Sequence, residues 1–254
     1  MTKHRSVEMF EVRIPVDAVK RLTQEQRYTY YVLGHMFNEL MCLQKLCGFA
    51  LPKHEDMRPA RRRPELAQAM LLFRLASSKA WEAKLALDSK EVSQTLTKMV
   101  LPHVEGGADR RKALNDRISS AKWLGPLRNG LGFHAPKFSE WDEHITPTSE
   151  WVDDVLYVGR QSGNVFYEAA EAIAQAWTLK TCAVGEQPDS LVEQMIALLV
   201  EFTNYLAEVI GVFVAHVILV DIGKMKPIGK TLAPEFGSVA IPFWTSMPLQ
   251  DDVP

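Results

Sequence analysis

The sequence predicts an all-α protein, a helical bundle of about five to seven helices with one small β-hairpin and an irregular C-terminal tail. Three observations carry this. Long segments place apolar residues at alternating steps of three and four, the period of one buried helical face. Capping and breaking residues stand at the ends of those segments. The chain has 254 residues, 47% of them hydrophobic, enough for one sizeable core. Residues 1–220 read as a single helical domain and residues 221–254 as a proline-containing tail.

Taken in order, Met9 to Val19 alternate loosely through Phe10, Val12, Ile14 and Val16 and read as a short extended arm. Thr23-Gln-Glu-Gln26 has the form of a capping box, in which two side chains satisfy each other's free backbone donors. It opens a helix with Tyr28, Tyr31, Val32, Met36, Leu40, Leu43, Cys47 and Ala50 on one face, ended by Pro52. Arg58 to Pro64 reads as a basic link. Its Arg61, Arg62 and Arg63 lack interleaved aromatics, which favours a solvated turn over a phosphate patch. From Pro64 a second helix carries Leu66, Met70, Phe73, Ala76, Ala80 and Leu87, and an antiparallel pair is expected.

Lys90 to Val100 adds a short helix before a loop from Pro102 to Gly107. From Asp109 the stripe Leu114, Ile118, Ala121, Leu124, Leu127, Leu131 runs straight through Gly125-Pro126, which predicts one kinked helix or two collinear ones. An irregular section with Trp141 and Trp151 follows. Val155 to Val158 and Val165 to Tyr167 then flank Arg160-Gln-Ser-Gly163 as a hairpin. A helix through Ala169, Ala172, Ile173, Ala176 and Trp177 ends before Gly185. The most hydrophobic helix starts at Pro188 and carries Leu191, Met195, Leu198, Phe202, Leu206, Val209 and Phe213 on one face. From Asp221 the tail, with five prolines, is expected to wrap the surface or a partner.

Composition narrows the function. A net charge of -2 gives no global field for nucleic acid, so any such contact needs a local patch. Cys42, Cys47 and Cys182 form no CxxC pair, which suggests neither a zinc site nor a disulfide framework. The N-terminus lacks the apolar core of a signal peptide, and the apolar run Val209 to Val220 is shorter than the ~20 residues of a membrane span. A soluble, cytoplasmic protein without membrane contact is expected. No glycine-rich phosphate loop follows a strand and no GxSxG occurs. No histidine follows an acidic residue by three, so a diiron bundle is not expected, nor any other metal or cofactor. His35 and Glu39 read as a surface pair one turn apart, and His216 as a core histidine.

One stretch departs from scaffold: Trp123-Leu-Gly-Pro-Leu-Arg-Asn-Gly-Leu-Gly-Phe-His-Ala-Pro136. With Leu131 at the centre of the buried face, the helical step puts Arg128 and His134 about 60° to either side, both flanking a groove. Asn129 turns away in an ideal helix, which Gly130 and Gly132 weaken. An arginine clamps phosphate oxygens and a histidine moves protons near neutral pH, which together suit RNA transesterification without metal. The plain alternative has Arg128 pairing a carboxylate, Asn129 capping backbone and His134 ending the helix before Pro136.

Arg128-Asn129-Gly130-Leu131-Gly132-Phe133-His134 resembles the signature of the HEPN superfamily (higher eukaryotes and prokaryotes nucleotide-binding): arginine, four to six residues, then histidine, often with asparagine after the arginine. The resemblance implies an α-helical bundle with the motif late in a helix. It also implies a metal-independent ribonuclease of toxin or phage-defence type, RNA as substrate, and a homodimer in which two motif helices meet. Arg128 and His134 would be the catalytic pair and Asn129 a supporting polar residue. An antitoxin or other protein partner fits this setting. The alternative is a non-catalytic helical module that binds a partner protein or nucleotide, with the tail after Asp221 as one contact.

Overall fold

The computed structural model describes residues 4–53, 58–132, 137–145, 154–160, 163–182, 188–219 and 225–246. The chain runs β1 (His4–Glu11), α1 (Val16–Lys20), α2 (Gln24–Ala50), α3 (Pro59–Asp88), α4 (Lys90–Thr95), α5 (Gly107–Ser120), α6 (Leu124–Leu127) and α7 (Phe138–Ile145). It continues through β2 (Leu156–Val158), β3 (Val165–Tyr167), α8 (Glu168–Cys182), α9 (Pro188–Val212) and β4 (Lys226–Pro234). Wider π-helical turns extend α4, α6 and α9, at Leu96–Val100, Arg128–Gly132 and Phe213–Ile218. The architecture is an all-α bundle with two small antiparallel two-stranded sheets.

Local signals start the framework helix. Thr23 Oγ1 accepts from the Gln26 backbone at 3.2 Å while the Gln26 side chain accepts from the Thr23 backbone at 2.9 Å. Along α2, Leu33, Met36, Leu40, Cys47 and Ala50 are buried, but the expected Tyr28 and Tyr31 are exposed. The buried stripe enters instead through Thr29, because Tyr30 rather than its neighbour stacks on Phe213. Lys79 of α3 bonds Glu39 of α2 across the pair at 3.0 Å. Leu191, Met195, Leu198, Phe202, Leu206 and Val209 of α9 all turn inward, and Phe213 continues the line. Ser190–Ile218 is long and apolar enough to cross a membrane, and its buried stripe is also the centre of the core.

Several elements differ from expectation. The extended arm lies earlier, at His4–Glu11, and Val16–Lys20 is helical. There Pro15, at φ -60°, accepts from Ala18 and Val19, and Ala18 is drawn into the core. The basic link is the first turns of α3, so Pro64 lies inside a helix. The break near Pro126 falls earlier, at Ala121–Trp123. Pro126 then occupies the first turn of α6, where its missing N–H removes no ladder bond. Trp141 belongs to α7 and packs on the core; Trp151 lies outside the described residues. The hairpin pairs Tyr157 with Phe166, turning at Gly163 with φ +88°. In the tail, β4 pairs along β1 from Pro234 opposite His4 to Lys226 opposite Glu11.

Candidate functional site

The segment that carries Arg128 is anchored on both sides. Leu124 and Leu127 are fully buried and hold α6 to the core. The π-helical turn then lies between α8 and α3. A Cβ on Gly130 would collide with the indole ring of Trp177, and one on Gly132 with the Ser78 hydroxyl. The two glycines therefore permit close packing of this turn.

That placement directs Arg128 at α3. Its Nε donates to Glu82 Oε1 at 2.9 Å and its second terminal nitrogen lies 2.8 Å from the same oxygen. The other terminal nitrogen donates to Asn129 Oδ1 at 2.8 Å. A guanidinium has five N–H donors. Two form hydrogen bonds and the second terminal nitrogen ion-pairs with Glu82, so at least one N–H on each terminal nitrogen has no hydrogen-bond partner among the described residues. A third of the Arg128 side chain is solvent-exposed. Among the described residues, the result is a cation held in orientation with open donors on both terminal nitrogens, a fork that can donate to two oxygens of a phosphate.

Asn129 is exposed, as helical phase anticipates, yet it touches Arg128. The π turn and the length of the arginine bring the two side chains together. His134, with Phe133, Ala135 and Pro136, lies outside the described residues. Of the three site residues expected from sequence, the structure joins Arg128 to Asn129 and adds Glu82. Nothing local marks Glu82, which stands 46 positions before Arg128.

No family model, curated protein or solved structure matches this chain.

Beyond Glu82 the charges alternate along the α2–α3 groove. Lys79 bonds both oxygens of Glu39 at 3.0 and 3.1 Å, and His35 Nε2 approaches Glu39 Oε2 at 3.5 Å. His35, Glu39, Lys79 and Glu82 share a shallow cavity of about 170 Å3. His35 and Glu39 thus form a surface pair whose stronger partner is Lys79.

His216 departs from the expected core position: it is exposed and stacks on His103, with centroids 4.7 Å apart and rings 3° from parallel. The reason is the π turn after Val212. It returns to the buried face after five residues, from Phe213 to Ile218, and so turns His216 outward. Of the arginine cluster, Arg61 pairs with Glu65 at 3.6 Å and Arg63 with Glu168. The tertiary fold supplies the aromatics that the local sequence lacks, since Arg58 and Arg61 line a cavity of about 400 Å3 with Tyr157 and Trp244. Burial pushes the Cys47 and Cys182 thiols up to about 12, so both stay protonated at neutral pH, while Cys42 is exposed.

Proposed function

We propose that the chain is a HEPN-like, metal-independent endoribonuclease of toxin or phage-defence type, cleaving RNA by attack of a 2′-hydroxyl on the adjacent phosphate. The observation that carries this reading is the Arg128 guanidinium, oriented by Glu82 and Asn129 with an N–H on each terminal nitrogen that has no hydrogen-bond partner among the described residues. Those donors meet two non-bridging phosphate oxygens and stabilise the negative charge that develops on them. The O2′–P bond forms as the P–O5′ bond breaks. His134 moves a proton, either from the attacking 2′-oxygen or to the leaving 5′-oxygen. A homodimer brings two Arg128–His134 pairs to one cleft, so that one histidine takes the proton and the other supplies it.

The test is cleavage of a labelled RNA by the purified protein with EDTA present. Arg128→Ala and His134→Ala are expected to lower the rate by 100-fold or more while leaving the unfolding midpoint in place. Absence of cleavage, or equal cleavage by His134→Ala, rules the reading out.

A further inference from the structure

The ribbon formed by β1 and β4 lies open to solvent. Its strands, of 8 and 9 residues, are exposed throughout except at the half-buried Glu11 and Ala233. Val7, Met9, Phe10, Ile228 and Leu232 stand in water, Leu232 with 74% of its surface. A lone two-stranded ribbon is marginal in water and gains stability from a third strand or a packed face. Among the described residues, neither strand has a second strand beside it.

The two outer edges differ. β4 carries Pro227 and Pro234, which lack an N–H, and Lys226 and Lys230, all of which blunt an edge. Its register also slips between Gly229 and Pro227, leaving Ile228 without an opposite residue. β1 has no proline from His4 to Glu11, and its charge is antisymmetric, with His4 and Arg5 at the start and Glu8 and Glu11 towards the end. A second β1 laid antiparallel sets base against acid, whereas a parallel one sets like against like. The edge is thus complementary to its own copy.

Opposed residues of an antiparallel pair lie on one face of the sheet, so a two-fold axis between two copies of β1 passes through a residue. Only an axis at Glu8 brings Arg5 opposite an acid. Arg5 then meets the partner's Glu11 at both ends, and Val7 meets the partner's Met9. Arg5 binds Glu235 through one terminal nitrogen and Glu11 binds Arg13 through one oxygen, and each has further donors or acceptors for the new pair. The two Glu8 side chains adjoin at the axis, where each keeps its ion pair with Lys230 at 2.8 Å.

We propose that β1 is a self-association edge, at which two copies of this chain join β1 to β1 in one four-stranded sheet. The prolines and lysines of the two outer strands oppose further pairing, so the assembly closes at two chains. This surface shares no residue with the motif turn at Arg128–Gly132, and it does not rest on the ribonuclease reading.

The test is disulfide trapping of the full chain in a Cys42→Ala background, the other two cysteines being buried. In the proposed sheet the two copies of residue 8 have Cα atoms about 4.5–5.5 Å apart, within disulfide reach. Glu8→Cys is expected to cross-link most of the protein under mild oxidation. Ser6→Cys, whose copies lie about 13 Å apart by strand rise, and Leu232→Cys on the outer strand are expected to stay uncross-linked. Sedimentation equilibrium adds a charge test: Arg5→Glu weakens association tenfold or more, and adding Glu11→Arg restores it although the Arg5–Glu235 pair stays broken. Arg128→Ala leaves both results unchanged. Absence of a Glu8→Cys cross-link, equal trapping of Ser6→Cys, or failure of the double variant to restore association overturns the proposal.

Discussion

Pro64 leaves a specific debt in α3, and the tail covers it. A proline has no N–H, so the carbonyl four residues earlier, at Ala60, loses its helical partner. The indole Nε1 of Trp244 donates to that carbonyl at 2.8 Å. Trp244→Phe keeps an aromatic ring and removes the donor. Water reaches this exposed carbonyl, which places the cost at the low end of a net hydrogen bond, about 0.5–1 kcal/mol. For a chain of this size that lowers the unfolding midpoint by roughly 1–4 °C. Pro64→Ala supplies the missing N–H, so in that background Trp244→Phe should lose the hydrogen-bond part of its effect. Any packing loss is common to both backgrounds and cancels, leaving an interaction energy of about 0.5–1 kcal/mol. Urea unfolding of the four variants measures it. Equal losses in the two backgrounds would show that Trp244 acts by packing alone.

Glu82→Gln should barely move the unfolding midpoint, since a pair with side chains this exposed contributes about 0.2–1 kcal/mol. On the proposed ribonuclease reading, the same change should lower kcat for RNA about tenfold or more through loss of guanidinium orientation, and an unchanged kcat would remove Glu82 from the proposed site. Gly130→Ala should cost about 1–3 kcal/mol by overpacking against Trp177, read in chemical denaturation; full stability would mean that the turn can shift freely. Iodoacetamide at pH 8 should modify Cys42 in the native protein and spare Cys47 and Cys182. The raised thiol pKa values also have a stability consequence. A native value of about 12 against an ordinary 9.0 means that their contribution is complete below pH 9 and is lost as pH rises toward 12. Replacing both by alanine should flatten that part of the alkaline decline in melting temperature, and an identical decline would contradict the assignment.

Much of the scaffold was legible because its signals are local. A capping box needs only residues 23 to 26, and the inward face of α9 repeats within each turn, so both could be read without knowing where the chain goes next. The hairpin was legible for the same reason, from two β-rich runs around Gly163. Tyr28, Tyr31 and His216 were misplaced because periodicity assumes an ideal helix with one wall to face. Aromatic stacking at Tyr30 and a π turn after Val212 set the actual phase.

The sequence by itself determined the helical class, the starts of α2 and α9, the hairpin, and Arg128 and Asn129 as neighbours in an unusual stretch. Tertiary structure alone decided that Glu82 orients Arg128, that Gly130 and Gly132 allow close packing, that Trp244 completes the ladder at Pro64, and that β4 of the tail pairs with β1. The physical reason is range. Capping and periodicity act within about one helical turn, while each of these pairings joins side chains or backbone from elements whose approach depends on the packing of the whole bundle.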